Sequence, residues 1–219
     1  MCRRLAISLP KEAMTELFKA APANDLPQTP NYNVCPTNNI HTVTSDKGTR
    51  HLRAMHWGFA PSWYATLSGG PLLINARSET IAEKPAFRDA CRNRRCLIPA
   101  DGFYEWARNK GEKPVPYRAL RSDGQPMAMA GVWQNYEING SIMTTCAIVT
   151  TDANKTMGEI HHRLPVILGP EDWPLWLGEA GKGAATLMRP VAEHVLDLQR
   201  VGTAVNSNRA SGPKLWEEV

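Results

Sequence analysis

The fold is decided by residues 40–57, which read IHTVTSDKGTRHLRAMHW. The β-branched and apolar residues in this stretch favour extended strands, and Ser45-Asp46-Lys47-Gly48 interrupts them with residues typical of tight turns. A turn of this kind joins two neighbouring antiparallel strands. The stretch therefore predicts a β-hairpin from Ile40 to Trp57.

Shorter runs of similar composition follow along the chain. They predict strands at Cys96–Pro99, Val115–Leu120, Met127–Trp133, Ile142–Thr150 and Leu164–Leu168. Turn-forming residues lie at Asn109–Gly111 and Ser122–Gly124. Because hairpin-like spacing outweighs regular alternation of strands and helices, the sequence predicts an α+β fold. We expect a mainly antiparallel, barrel-like sheet with flanking short helices.

Helical patterns are few and short. Pro10–Ala20 places apolar residues on one face of a helix, and Ser8 is positioned to cap it. Short helices are also predicted at Pro85–Arg92 and Pro170–Leu177. The intervening segment Ala21–Asn39 is rich in proline and asparagine, which favour turns, so an extended loop is expected there.

The size and composition of the chain are those of a single globular domain. A length of 219 residues, 42% hydrophobic and 21% charged, fits one core, since single cores usually stop growing near about 250 residues. We expect one domain over residues 1–219. No apolar run approaches the roughly 20 residues that span a bilayer, and no signal-peptide pattern precedes the first helix. No membrane association is expected.

Cysteine and charge say less about function. The five cysteines are an odd number without a close pair, which favours neither a disulfide framework nor a zinc site. We expect a reducing compartment: the cytoplasm, with association to the nucleoid in a bacterium, or the nucleus in a eukaryote. The net charge of +4 and a pI near 8.9 tilt the surface toward polyanions, but the excess is too small to establish nucleic-acid binding.

The second residue offers an unusual pair of nucleophiles. Removal of Met1 would leave Cys2 with a free α-amine beside its thiol, a 1,2-aminothiol. The amine, with a reference pKa of roughly 7.7–8.0, can attack an aldehyde to give an imine. The tethered thiol can then close a five-membered thiazolidine ring. Taken alone, a cysteine at this position is more often an ordinary residue at a frayed terminus.

Three later segments place polar residues beside strand-like runs. They are Asn75-Ala76-Arg77-Ser78-Glu79, Ile98-Pro99-Ala100-Asp101-Gly102-Phe103-Tyr104-Glu105-Trp106 and Ile160-His161-His162-Arg163-Leu164-Pro165. Asn31-Tyr32-Asn33-Val34-Cys35-Pro36, His56-Trp57-Gly58-Phe59 and Val205-Asn206 extend the set over nearly the whole chain. Together with Cys2, this ordered set resembles the SOS response-associated peptidase (SRAP) family.

The resemblance implies a covalent activity on damaged DNA. A self-processing, cysteine peptidase-like step would remove Met1, and Cys2 would then form a thiazolidine crosslink with the ring-opened sugar aldehyde of an abasic site. Formation and reversal of such a link are lyase-like chemistry. The resemblance implies single-stranded DNA containing abasic sites as the partner, and neither a metal nor an organic cofactor. We expect a monomer.

The resemblance also implies a set of catalytic residues: Cys2, Asn75, Glu105 and His161. Asn75 would orient the amine or the opened sugar without adding charge. Glu105 would shuttle protons during dehydration and ring closure, and His161 would pass a proton to or from the sugar oxygen. Each has an ordinary alternative, such as a surface carboxylate or a strand-end cap. The adjacent His162 competes with His161 for its role.

DNA contacts are expected at Arg4, Asn33, Pro36, Trp63, Tyr64, Arg77 and Arg163. The three arginines are suited to phosphates because guanidinium groups stay charged and bind oxygens through two donors. The two aromatic residues are suited to stacking on bases, which tolerates any sequence. The competing interpretation is that the arginines are ordinary surface residues.

Two other functions remain open from the sequence. One is an N-terminal-nucleophile peptidase or amidase, for which the same four residues would make a site. The other is a non-covalent reader of modified bases. The chain also departs from the family start Met-Cys-Gly-Arg, because Arg3 replaces the glycine. A residue with a Cβ costs roughly 1 kcal/mol or more if that backbone needs a positive φ, whereas the added charge would suit a phosphate.

Overall fold

Strands dominate the secondary structure. The computed structural model describes residues 2–108 and 110–219. The strands are β1 (Leu5–Ile7), β2 (Ala20–Pro22), β3 (Asn31–Val34), β4 (Asn39–Asp46), β5 (Thr49–Trp57), β6 (Asn75–Arg77), β7 (Arg95–Ala100), β8 (Gly102–Ala107), β9 (Val115–Arg121), β10 (Met127–Ile138), β11 (Ser141–Asp152), β12 (Arg163–Pro165) and β13 (Leu196–Arg200). The α-helices are α1 (Lys11–Phe18), α2 (Arg88–Asn93), α3 (Lys155–Gly158) and α4 (Trp173–Leu177), and short 3₁₀ helices occupy Ala184–Leu187, Glu193–Val195, Thr203–Asn206 and Pro213–Trp216.

A closed barrel forms the centre of the fold. Its strands follow the order β11, β10, β7, β4 and β5, each hydrogen-bonded to the next. Strand β5 then pairs in parallel with β11, with Thr145 opposite His56 and Cys146 opposite Trp57, and this pairing closes the ring. The prediction of an α+β, mainly antiparallel and barrel-like fold with short helices is confirmed.

The hairpin predicted at residues 40–57 is the β4–β5 pair. Its register places Asp46 opposite Thr49, which leaves a two-residue loop. Both loop residues have positive φ, 49° at Lys47 and 83° at Gly48. A loop with two positive φ angles matches the twist of the flanking strands, which is why such turns favour glycine.

A second sheet carries the start of the chain. Its strand order is β13-β9-β8-β1-β3, so β1 lies between two antiparallel neighbours. Leu5 pairs with Phe103 on one side and with Val34 on the other. The residues that precede β1 are therefore held beside β8 and the end of β3.

Two buried clusters underlie these sheets. The larger fills and surrounds the barrel and includes the fully buried Ile40, Leu52 and Ile148. The smaller lies under the second sheet and joins Tyr104 to Val205 and residues near them. The Tyr104 hydroxyl donates to Tyr32 O at 2.8 Å, so this buried polar group is satisfied.

Several element boundaries differ from the sequence prediction. Helix α1 has Pro10 as its N-cap without a side-chain hydrogen bond, and Ser8 instead donates its backbone N–H to Asp101 Oδ2. The predicted loop at Ala21–Asn39 contains β3 and part of β2, because the neighbouring strands offer unpaired backbone groups. The predicted strand Leu164–Leu168 is limited to β12, and the two later helices are shorter than predicted. Within the predicted Asn109–Gly111 turn, Asn109 lies outside the described residues.

No helix in residues 2–108 and 110–219 is long and apolar enough to span a membrane. In the same part of the chain, no group of three His, Cys, Asp or Glu side chains is arranged to hold a metal ion. The five cysteines are free thiols, and Cys2, Cys96 and Cys146 are buried.

The start of β8 tolerates no side chain. A Cβ built on Gly102 would lie 2.1 Å from Ala119 O and 2.8 Å from the Trp216 ring. We expect Gly102→Ala to lower the free energy of unfolding by about 1–3 kcal/mol, because the backbone of β9 must move. Gly158 has open space at its Cβ, so Gly158→Ala is the matched control and should change stability by less than about 0.5 kcal/mol. Urea unfolding of both variants measures the difference, and equal midpoints would contradict this packing.

Candidate active site

Cys2 lies just before β1 and is only 1% exposed. The adjoining backbone is fixed by the bond from Tyr104 N to Arg4 O, 2.9 Å long. The carbonyl oxygen of Cys2 accepts a hydrogen bond from Asn75 Nδ2 at 2.9 Å. Cys2 is therefore tied both to β8 and to the first residue of β6. Met1 lies outside the described residues.

Asn75 contacts Cys2 from strand β6. It begins β6, which runs parallel to β11 with Asn75 opposite Ile148. The preceding carbonyl, Ile74 O, accepts a bond from Trp57 Nε1 at 3.0 Å and so holds this turn of chain against the barrel. Asn75 Oδ1 is buried and has no hydrogen-bond partner within the described residues. Such an acceptor is costly to bury and is available to a donor placed beside Cys2.

Glu105 brings a carboxylate into the same region. It lies in the middle of β8, opposite Tyr117 of β9, and is 6% exposed. Burial raises the pKa of the Cys2 thiol well above its ordinary value, and the negative charge of Glu105 raises it further. The thiol is therefore protonated at neutral pH. An amine on Cys2 would attack an electrophile before the sulfur does.

His161 enters from the segment between α3 and β12. Its backbone N–H donates to Met157 O at 2.9 Å, and its Nδ1 accepts the backbone N–H of Arg163 at 3.0 Å. Burial lowers the pKa of His161, while the charge of Glu105 acts in the opposite direction. The imidazole is thus neutral near pH 7. Because Nδ1 accepts, the proton is on Nε2, which is a hydrogen-bond donor.

These side chains share one cavity of about 660 Å³. We call it the Asn75 cavity; its walls are Arg3, Pro36, Leu72, Leu73, Ile74, Asn75, Arg77, Glu105, Arg108, His161 and His162. The structure thus brings together Asn75, Glu105 and His161, with Cys2 bonded to the first of them. Residues from β6, β8 and the α3–β12 segment converge although they are far apart in the sequence.

A second cavity of about 370 Å³ adjoins the first. We call it the Trp106 cavity; its walls are Arg3, Arg4, Pro36, Glu105, Trp106, Arg108, Pro114 and Asn206. Arg3, Pro36, Glu105 and Arg108 belong to both. The two cavities therefore form one continuous depression with arginine side chains at the junction.

Arg108 and His162 line this depression but were not singled out as site residues. Arg108 follows three positions after Glu105, and its basic charge at the end of β8 was the available signal. The His162 ring stacks on His161 with centroids 4.4 Å apart. Arg3, which stands where the family has glycine, is exposed at the junction of the cavities.

The predicted DNA-contact residues fall in different places. Arg77 is exposed and lines the Asn75 cavity, and Pro36 lines both cavities. Arg4 lines the Trp106 cavity, where Nη1 donates to Asn33 Oδ1 and to Val205 O. Asn33 is 7% exposed and also donates to Ala210 O, so it joins the start of the chain to the C-terminal region.

Trp63 and Tyr64 do not line either cavity. Trp63 is 59% exposed and faces a separate depression together with Pro85 and Trp133. The Tyr64 hydroxyl donates to Pro71 O at 3.3 Å. Trp63 presents a free aromatic surface, while Tyr64 holds the loop that leads toward the Asn75 cavity.

Arg163 is enclosed by acidic partners. Its side chain is 5% exposed, and its guanidinium binds Glu79 through two bonds of 2.9 Å and Asp152 Oδ1 through one of 2.6 Å. Nη2 also donates to Thr150 O at 2.8 Å. The guanidinium is directed into this cluster, away from solvent.

The chain is similar in sequence to several proteins that share one descriptive name. The chain is 36% identical to Abasic site processing protein YoqW of Bacillus subtilis (strain 168), over 86% of each chain. It is 31% identical to Abasic site processing protein YedK of Escherichia coli (strain K12), over the full length of both. It is also 31% identical to Abasic site processing protein HMCES of Xenopus tropicalis, over 87% of this chain and 66% of the relative.

Solved structures share the fold. A crystal structure of a protein from Bacteroides thetaiotaomicron matches with a TM-score of 0.86 and 24% identity, over the whole of both chains. A phage-related protein from Bordetella bronchiseptica matches with a TM-score of 0.71 and 28% identity, over 91% of this chain and 94% of the other. The sequence profile of SOS response associated peptidase (SRAP) matches residues 1–208. The chain therefore belongs to the SRAP family.

Proposed function

We propose that this protein processes abasic sites by forming a covalent crosslink to single-stranded DNA. Removal of Met1 frees the Cys2 amine, and Cys2 then captures the ring-opened aldehyde as a thiazolidine. The observation that carries the proposal is the placement of Asn75, Glu105 and His161 around one cavity, with Asn75 bonded to Cys2. Three relatives named as abasic site processing proteins add support.

The reaction balances without an external oxidant or reductant. Hydrolysis of the Met1–Cys2 peptide bond consumes one water and releases methionine. The amine nitrogen attacks the aldehyde carbon, and the carbinolamine loses one water to give an imine. The sulfur adds to the imine carbon, and the thiol proton moves to the nitrogen as the ring closes. Neither a metal nor an organic cofactor takes part.

Each neighbouring residue has a role in this sequence. Asn75 Nδ2 fixes the Cys2 carbonyl, and its Oδ1, which has no partner among the described residues, accepts a hydrogen bond from the amine. During dehydration Glu105 passes a proton from the nitrogen to the departing hydroxyl, and during ring closure it passes the thiol proton to the nitrogen, which a carboxylate beside a protonated thiol can do. His161 donates a hydrogen bond from its Nε2–H to the sugar oxygen, which steadies that oxygen as the sugar ring opens and as the link reverses, and the imidazole stays neutral throughout.

The basic side chains define a path for the strand. Arg77 and Arg108 are exposed on the cavity walls, and Arg3 lies where the two cavities meet. Their charges suit successive phosphates, while a strand without a base at the lesion leaves the Asn75 cavity open to the sugar. Trp63 offers a surface on which a more distant base can stack.

The direct test is the intact mass of the protein after mixing with single-stranded DNA that contains an abasic site. We expect a protein without Met1 and a DNA adduct that has lost water and survives heating. The same strand with an intact base should give no adduct. Hydrolysis of added peptides without any adduct would instead favour a peptidase or amidase, and tight binding without an adduct would favour a non-covalent reader.

The phosphate path makes a separate prediction about salt. Arg108→Ala and Arg77→Ala should each weaken binding to single-stranded DNA and reduce the slope of log affinity against log salt by about 1. Arg88→Ala is the control, because Arg88 is exposed on α2 and lines neither cavity. Fluorescence anisotropy at several salt concentrations measures the slopes. Identical slopes for all three variants and the parent would exclude this path.

A further inference from the structure

The mouth of the Asn75 cavity is positively charged. Arg3, Arg77 and Arg108 are exposed on its walls. Within residues 2–108 and 110–219, none of these three arginines forms an ion pair with a carboxylate. Among the described wall residues the only acid is Glu105, which is 6% exposed. The rim of the cavity therefore attracts anions.

The cavity has room for a free small molecule. Its volume of about 660 Å³ lies within the range of pockets that enclose whole ligands. On the proposed mechanism, Asn75, Glu105 and His161 act on the aldehyde carbon, the amine, the thiol and the sugar oxygen, and none of these contacts needs a second nucleotide. One sugar and one phosphate therefore supply the groups that these walls contact.

A free sugar phosphate offers the arginines more charge than a phosphate within a DNA strand does. A phosphodiester carries one negative charge, whereas a phosphate monoester carries about −1.5 to −2 at pH 7, because its second pKa is roughly 6. Guanidinium groups bind phosphate oxygens through two donors each. A monoester bound by Arg77 or Arg108 places its sugar in the cavity where Asn75 is bonded to Cys2.

We propose that the Asn75 cavity also captures free phosphorylated aldehydes, such as aldose phosphates, as thiazolidines on Cys2. The inference rests on the proposed function, because it needs the same free amine and thiol, and it extends the substrates from damaged strands to small molecules.

The capture step balances in atoms and electrons. The amine nitrogen bonds to the aldehyde carbon, and the aldehyde oxygen leaves as water. The sulfur then bonds to the same carbon, and the thiol proton moves to the nitrogen. The carbon keeps the oxidation level of an aldehyde, so no oxidant or reductant takes part. A Cys2 held in this ring has no free amine, so a captured sugar phosphate excludes the abasic strand.

The test compares 2-deoxyribose 5-phosphate with 2-deoxyribose. The two sugars differ in how much free aldehyde they expose, so a peptide of residues 2–5 serves as the reference. The peptide has the same aminothiol, with Arg3 and Arg4, but no cavity. We expect the protein to prefer the phosphorylated sugar by about 10-fold or more beyond the preference of the peptide, because charge-assisted hydrogen bonds contribute such a factor. Intact mass at timed intervals measures the rates, and each adduct should have lost one water.

Two variants assign the preference to the rim of the cavity. Arg77→Ala and Arg108→Ala should each lower the preference for the phosphorylated sugar by about threefold or more. Arg88→Ala is the matched control and should retain the parent preference, since Arg88 is exposed on α2 and lines neither cavity. Cys2→Ala should form no heat-stable adduct with either sugar.

The outcomes separate this inference from the proposed function. A protein whose preference equals that of the peptide overturns the inference, as does a preference that survives in both Arg77→Ala and Arg108→Ala. The same preparation is mixed with abasic single-stranded DNA, and a DNA adduct without a phosphate preference defeats the inference alone. Capture of the sugar phosphate without a DNA adduct supports the inference and defeats the DNA role. If neither the sugars nor the abasic strand gives an adduct, the proposed function fails, and the inference fails with it.

Discussion

Replacing Cys2 with alanine is expected to abolish the covalent adduct with abasic single-stranded DNA. Only the residue that becomes the N-terminus can supply both the amine for the imine and the thiol for ring closure. The side chain is buried but small, so the fold should survive with a loss of about 1 kcal/mol. Denaturing gels and intact mass after incubation measure the adduct, and thermal unfolding checks the fold.

Two further variants sharpen this result. Cys2→Ser retains the amine but has a poorer ring-closing nucleophile, so it should form at most a reversible imine that reduction can trap. Cys91→Ala removes a half-buried thiol on α2 that lines neither cavity and should crosslink like the parent. A heat-stable adduct on Cys2→Ala would place the linkage on another residue.

The second large effect is expected from Glu105→Gln. Glutamine keeps the shape and the capacity to accept a hydrogen bond, but it cannot take the thiol proton. Crosslinking should slow by about 100-fold or more if Glu105 is the general acid-base group. Single-turnover rates at saturating DNA isolate this step from binding.

The control for Glu105→Gln is an exposed carboxylate outside the site. Glu137 lies on β10 and is exposed, so Glu137→Gln should crosslink at the parent rate. If Glu105→Gln crosslinks at a rate within threefold of the parent, Glu105 is not the general acid-base group and another group in the Asn75 cavity moves the proton. His162, which stacks on His161, would then be the next residue to replace.

Local patterns in the sequence predicted the elements that depend on local chemistry. The turn at Lys47-Gly48 could be predicted from the sequence because only a few residue types favour a turn with two positive φ angles. The sequence did not predict that β5 and β11 pair to close the barrel, because a parallel pairing of distant strands leaves no short-range pattern in the sequence. The short strands β1 and β6 were also missed, since three residues are too few to show alternation.

The candidate site divides in the same way. The chemistry of Cys2, Asn75, Glu105 and His161 could be argued from residue type and family resemblance, but their shared cavity required the fold. Charge alone predicts that an arginine binds phosphate, and no short-range pattern indicates that Arg163 pairs with Glu79, which lies 84 positions away. The two arginines therefore differ in burial: Arg163 is buried, whereas Arg77 is exposed.

The pairing of β1 inside the second sheet has a consequence for biosynthesis. Cys2 is synthesised before Asn75, Glu105 and His161, which lie near it in the folded state, and the last of them follows it by 159 positions in the sequence. Long-range pairings of this kind fold slowly, on a scale of roughly milliseconds to seconds, because the chain must close large loops before they gain contacts. Until the β11–β12 region has been added, Cys2 lacks the residues that surround it in the fold, so on the proposed mechanism neither self-removal of Met1 nor capture of a lesion can begin before that point.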